Sequence, residues 1–140
     1  MDIIQSLTLD YQNFPKRQTF SLYAEDVYFK DPMTSFQGCD RYRQMIAFID
    51  RWFTNPQLEL HQIQQRDRTI RTDWTLEWTT PLFWNPRIRI SGWSELTLNA
   101  EGLISAHIDY WHCSRFDVLK QHFIQASSQT SGQTSNEGKK

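Results

Sequence analysis

A chain of 140 residues with 39% hydrophobic side chains reads as one domain with enough apolar material for a core. Its 15 basic and 16 acidic residues leave a net charge of −1, so no basic excess exists to neutralise a phosphate backbone and nucleic acid is not an expected partner. No apolar run approaches the ~20 residues that span a bilayer, the N-terminus has no signal-like run, and Cys39 and Cys113 read as free thiols, which together suggest the cytoplasm.

Ile3, Ile4, Leu7, Tyr11 and Phe14 fall at helical spacing, and Pro15 ends that first helix. A second short helix is expected around Phe20 and Tyr23. Residues 27–30 read as a brief strand, because β-branched and aromatic side chains cluster there between turn formers. Over 40–53 the apolar residues Tyr42, Met45, Ile46, Ile49 and Phe53 recur at three and four, with Arg41, Gln44 and Arg51 opposite. That pattern predicts a surface helix with one buried stripe, broken by Asn55-Pro56.

The remainder reads mostly as strand. Residues 57–66 form a weaker candidate that pairs across the turn at Arg66-Asp67-Arg68. Residues 69–80 alternate, with Ile70, Trp74, Leu76 and Trp78 on one face and Arg71, Asp73, Thr75 and Glu77 on the other, as in antiparallel strands with one buried face. Strands over 88–98 and 103–113 follow, joined at Asn99-Ala100-Glu101-Gly102, where Gly supplies the positive φ of a hairpin loop. Gly92 is a natural site for a bend or bulge. A last short helix is expected over 115–123, which places the domain at 1–124. Residues 125–140 are almost wholly polar, have little to bury, and read as a disordered tail. Helices followed by a long antiparallel sheet give an α+β class.

Six Trp, five Tyr and nine Phe are many for this length; large rings fill cores economically and also line apolar pockets. Asp31 precedes Pro32, the ordinary place for a turn-forming Asp that bonds its own backbone. A carboxylate at a pocket mouth, with its pKa raised by surrounding rings, is the functional alternative. His107 and Asp109, two apart on a strand, share a face that Trp111 continues. Together they form a candidate acid–base pair. Alternation alone would instead turn Ile104, Ala106, Ile108 and Tyr110 inward. A metal is not expected, since His61, His112 and His122 lie on other elements or the opposite strand face. Arg66, Arg68, Arg71, Arg87 and Arg89 mix with Asp73, Glu77 and Glu95 as a solvated face of cross-strand ion pairs. The loop Pro81-Leu82-Phe83-Trp84-Asn85-Pro86 is unusually apolar, with packing, a partner or a membrane surface as its uses.

Two motifs carry a family resemblance. One is Leu22-Tyr-Ala-Glu-Asp-Val-Tyr-Phe-Lys-Asp-Pro32 followed by Phe36-Gln-Gly38; the other is Gly92-Trp-Ser-Glu-Leu-Thr-Leu-Asn-Ala-Glu-Gly-Leu-Ile104 followed by His107-Ile-Asp-Tyr-Trp111. The chain resembles the nuclear transport factor 2-like superfamily, which includes ketosteroid isomerases and SnoaL-like cyclases. Within it the chain is similar to an uncharacterised group of cyanobacterial and chloroplast proteins, many of which carry Asp where this chain has His112. The resemblance implies a cone: N-terminal helices packed on a strongly curved antiparallel sheet around a pocket. It places Asp31 at the isomerases' catalytic base, their tyrosine near Leu7 with Tyr11 a turn further on, and their second aspartate at Ser94. It also implies that His107, Asp109 and Trp111 face inward and that the outer sheet face pairs two copies as a homodimer. The expected function is a small-ligand-binding or assembly module without a cofactor, its pocket lined by Tyr42, Trp74, Trp78, Trp93 and Trp111. The alternative is a small dehydratase, cyclase or isomerase for an apolar substrate, with Asp31 as base and His107 and Asp109 as acid or relay. A third reading is an interaction protein whose cone is filled by its own side chains.

Overall fold

The computed structural model describes residues 1–123; the polar tail expected over 125–140 lies outside the described residues. Helix α1 (Ile3–Asn13) opens with a capping box. The Asp2 carboxylate accepts from the Gln5 amide at 2.9 Å, and Gln5 Oε1 accepts from the Asp2 amide at 3.1 Å, which satisfies amides that the first turn leaves unpaired. The expected second helix is only a 3₁₀ turn, Phe20–Leu22. Tyr23 already belongs to strand β1 (Tyr23–Lys30). A three-residue strand β2 (Ser35–Gln37), which periodicity cannot register at that length, pairs with it before α2 (Cys39–Trp52).

Four strands follow: β3 (Thr54–Arg66), β4 (Thr69–Thr79), β5 (Arg87–Leu98) and β6 (Ile104–Trp111). Asn55-Pro56 lies inside β3 rather than before it. Pro56 is tolerated there because β3 is the last strand of the sheet and the β3–β4 register slips between Thr54 and Gln57. The sheet runs in the order β2-β1-β6-β5-β4-β3. It is antiparallel except for β1 beside β6, which is parallel; the chain between those strands holds α2 and four strands, ample for a crossover. A short α3 (Arg115–Gln121) closes the described chain.

Helices pack on the curved sheet, α1 against β3, α2 against β1 and α3 against β5. One apolar cluster joins α1, α2 and the sheet through Leu7, Val27, Phe29, Ile46, Ile70 and Leu96. A second gathers Trp74, Trp78, Ile88 and Ile90, with Phe53 and Trp111 packed on it. Of the cross-strand ion pairs expected on the mixed-charge face, Arg87 and Arg89 of β5 reach Glu77 of β4 at 4.0 and 3.9 Å, while Arg71 bonds Asp73 within its own strand at 3.0 Å. In the apolar loop, Trp84 Nε1 donates to the His122 carbonyl at 2.6 Å and its ring meets Phe123, while Phe83 is 93% exposed. Trp84 therefore packs against His122 and Phe123 just beyond α3, and neither ring of the loop lines the cavity described next. No helix among the described residues is long and apolar enough to cross a membrane.

Candidate functional site

Helices α1, α2 and α3 and every strand but β2 contribute to the wall of a cavity of about 510 Å³ among the described residues. Tyr42, Trp74, Trp78 and Trp111 stand in its wall, with Phe29, Ile46 and Phe53 beside them. Trp93 does not. On β5 the buried residues are Ile88, Ile90, Ser94, Leu96 and Leu98, and Trp93 has the opposite parity. Its ring lies on the outer face, stacked on Tyr110 at 4.9 Å, tilted against His112 at 4.9 Å, and covered by the Arg71 guanidinium at 5.0 Å. Strict two-residue alternation produces this placement, and the same alternation along 88–98 was the available signal.

Alternation fails on β6 for an identifiable reason. Leu98 pairs with Ile104 but Thr97 pairs with Ala106, so Ser105 is an extra residue in the ladder. A bulge changes the phase of every side chain beyond it. Ile104 is buried ahead of the bulge; after it His107, Asp109 and Trp111 point into the cavity while Tyr110 joins Trp93 outside.

His107 is buried and bonded on both ring nitrogens. Nε2 lies 2.8 Å from Asp109 Oδ1 and Nδ1 lies 3.2 Å from the Tyr23 hydroxyl. Tyr23 in turn meets the Tyr42 hydroxyl at 3.1 Å. Burial, followed by the neighbouring Tyr42, holds the Tyr23 phenol well above its ordinary pKa, and burial raises Tyr42 as well. Both therefore stay protonated near neutral pH. On the other side of Asp109, the Ser94 hydroxyl donates to Oδ1 at 2.5 Å and accepts from Trp74 Nε1 at 2.8 Å. Tyr11, a phenol whose pKa is raised by burial and by the Asp109 charge, reaches Thr72 Oγ1 at 2.7 Å from the same cavity.

Asp31 lines the cavity too, but its Oδ1 is already engaged, accepting from the amides of Met33 (2.7 Å) and Thr34 (2.8 Å). It is a turn former in the way its place before Pro32 implies. Burial raises its pKa; the two amide bonds oppose this, Asp109 adds to it and His107 subtracts from it. The cavity thus brings Asp31, His107 and Asp109 together.

Asp10 also lines it, with its carboxylate taking the Thr19 amide at 3.1 Å and hydroxyl at 2.8 Å, a lock between α1 and the 3₁₀ turn. Burial raises the Asp10 pKa against those two bonds. Tyr23 and Asp10 carried no recognisable signal, since each acquires its role from a residue close in space but outside its own element. Ser94 had two: the superfamily alignment and its inward parity on β5. The remaining histidines stand apart, His61 on Thr75, His122 on Thr80 and His112 on the outer face. Among the described residues no three His, Cys, Asp or Glu side chains come together as a metal site.

Solved structures share this architecture. A Catenulispora acidiphila protein with a ketosteroid isomerase-like fold, in complex with trimethylamine, is 15% identical and aligns over 86% of this chain and 91% of its own, with a TM-score of 0.67. An LEH-like epoxide hydrolase of M. tuberculosis is 14% identical over 84% of each chain, TM-score 0.64. An NTF2-like protein of unknown function from Exiguobacterium is 16% identical over 76% of this chain and 99% of its own, TM-score 0.61. At these identities the likeness is one of fold, the ketosteroid isomerase-like or NTF2-like cone. No curated protein matches the sequence. Over residues 1–107 the sequence matches the family model described as "Uncharacterized conserved protein (DUF2358)", and the chain belongs to that family.

Proposed function

We propose that this protein binds one small, largely apolar molecule in the cavity between its helices and its sheet. The observation that carries this reading is the cavity itself: about 510 Å³ with a predominantly aromatic and aliphatic surface, into which a minority of polar groups is set. Such a composition suits a small organic ligand held by apolar burial and oriented by few polar contacts. The open volume counts against a cone filled by its own tryptophans. Two of the similar structures, the trimethylamine complex and the epoxide hydrolase, are named for small organic molecules.

A second reading is favoured by one feature, the convergence of Asp31, His107 and Asp109 on the same space. Two titratable groups in reach of one bound molecule are what general acid–base chemistry needs, so a dehydration, cyclisation or isomerisation of the ligand is the alternative.

The test is mass spectrometry of organic extracts from protein purified from its native host. A small organic compound near stoichiometric amount is expected, and it should be absent from Met45→Trp, which fills the cavity from α2. Recovery of nothing beyond what the plugged variant carries would sink the binding reading. Incubating the recovered compound with fresh protein separates the two readings, since only an enzyme converts it.

The homodimer expected from the sequence would use the outer sheet face. There Trp93 and Tyr110 stack, and the buried Trp93 Nε1 has no hydrogen-bond partner among the described residues. Sedimentation equilibrium should give a dimer that Trp93→Glu splits; a monomeric wild type removes this reading. The free thiols of Cys39 and Cys113 suit the cytoplasm.

A further inference from the structure

The two oxygens of Asp109 are used unequally. Among the described residues, Oδ1 accepts both of the hydrogen bonds that the carboxylate receives, from Ser94 Oγ and from His107 Nε2. Oδ2 takes none among the described residues, and it is not shut off from the cavity that Asp109 lines. The direction of every bond leading to Asp109 follows from which groups can donate. Trp74 Nε1 is a donor only, so Ser94 accepts from it and passes its own proton toward Oδ1. An ionised carboxylate is an acceptor only, so His107 bears its proton on Nε2. In the neutral ring Nδ1 is then the acceptor, and Tyr23 donates to it. With the Tyr23 proton committed, Tyr42 donates to Tyr23. Two files of donors, Tyr42–Tyr23–His107 and Trp74–Ser94, therefore run in one sense and end on the same oxygen. Bonds aligned in this way polarise one another, and they hold the carboxylate plane so that Oδ2 is presented to the cavity.

We propose that Asp109 is the polar anchor of the cavity and that its free Oδ2 accepts a hydrogen bond from a hydroxyl group on an otherwise apolar ligand. This rests on the binding reading above and names the chemical class of the ligand. An acceptor without a donor in an apolar wall is costly to bury, so the ligand that displaces water from Oδ2 has to bring the donor. A carboxylate ligand meets like charge there, and an ether or hydrocarbon leaves Oδ2 unpaired. Tyr23, Tyr42, Ser94 and Trp74 are positioning residues that act through His107 and Asp109. Asp31, whose Oδ1 is taken by the amides of Met33 and Thr34, is secondary to Asp109 in this role.

Isothermal titration calorimetry with four matched one-ring probes tests the assignment: thymol, thymol methyl ether, para-cymene and cuminate. Thymol is expected to bind at least about tenfold more tightly than its methyl ether or para-cymene, an increment typical of one hydrogen bond to a charged group, with cuminate the weakest. In Asp109→Ala the preference for thymol over the ether should fall to within about twofold while the ether still binds. Tyr23→Phe should keep the ether affinity, reduce the thymol preference, and change the His107 tautomer in long-range ¹⁵N–¹H spectra from the Nε2–H form to a mixture. Equal binding of thymol and its ether, or tightest binding of cuminate, overturns the anchor and leaves the cavity reading standing. Failure of all four probes to bind removes the cavity reading and the anchor with it. If Asp109→Ala does not fold, the order of the four probes on the wild-type protein decides.

Discussion

Gly92→Ala is expected to lower the unfolding free energy by about 3 kcal/mol, the upper part of the range for forcing one carbon into a packed interior. A Cβ at this position would overlap the Tyr110 carbonyl, lie 3.1 Å from its carbon, and sit 3.2 Å from Trp74 Cη2. Neither neighbour has room to give. The carbonyl belongs to β6, whose ladder with β5 is in regular register here, Gly92 opposite Trp111 and Trp93 opposite Tyr110. The indole is held at its other end by the bond to Ser94. The sign is what makes the variant informative, because glycine in a strand interior ordinarily costs roughly 0.5–1 kcal/mol against alanine. Urea denaturation of the two proteins reads the difference directly, and a variant as stable as the parent would show that the close approach is not a constraint. A bend or bulge is the sequence expectation at Gly92, but the ladders on both sides run through it without a register shift; the shifts lie at 23–28, 54–57, 60–62 and 97–98. Glycine is needed for the approach of an indole and a neighbouring strand.

Phe29→Ala should cost about 4 kcal/mol, within the range for deleting a fully buried aromatic ring. Phe29 is 1% exposed and is the largest fully buried side chain among the described residues. Its ring centroid lies 5.0 Å from Phe36, 5.1 Å from His107 and 5.8 Å from Tyr42. It therefore joins the core between sheet and α2 to the hydrogen-bonded imidazole. Truncation leaves a void that opens onto the existing cavity, so the surroundings have no reason to collapse around it. Phe29→Leu should recover most of the loss. A cost below about 2 kcal/mol for the alanine variant in urea denaturation would mean that α2 closes over the gap, and that His107 depends less on this ring than its packing implies.

How much of this was legible in the chain depends on the range of the signal. Helix α2 and strands β4 and β5 were read nearly residue for residue, because each repeats its period long enough to stand out. The α1 stripe, ended before Pro15, was equally clear. What escaped was short or broken in phase. Strand β2 has three residues, too few for any period, and the 3₁₀ turn carried Phe20 without extending to Tyr23. Its large ring makes Trp93 a pocket candidate, but the parity of its own strand puts it outside.

The site divides in the same way. His107 and Asp109 were evident as a pair because two-residue spacing places them together on any strand, and Asp31 was evident as a turn former beside proline. Their facing direction was not. It rests on one extra residue, Ser105, which reverses the phase of β6 and which local composition does not mark. Nor could the sequence disclose that Tyr23 and Tyr42, 19 residues apart, line up on His107, or that Trp74 and Ser94, 20 apart, converge on Asp109.

By itself the sequence determined the long elements, the α+β class and the pairing of imidazole with carboxylate, because these follow from periods and spacings within single segments. Only the tertiary structure decided that the cone encloses open space, which rings enter it, and which carboxylate oxygen is left without a donor. Those outcomes depend on register between strands and on the distances over which separate segments meet, and neither is a property of any one segment.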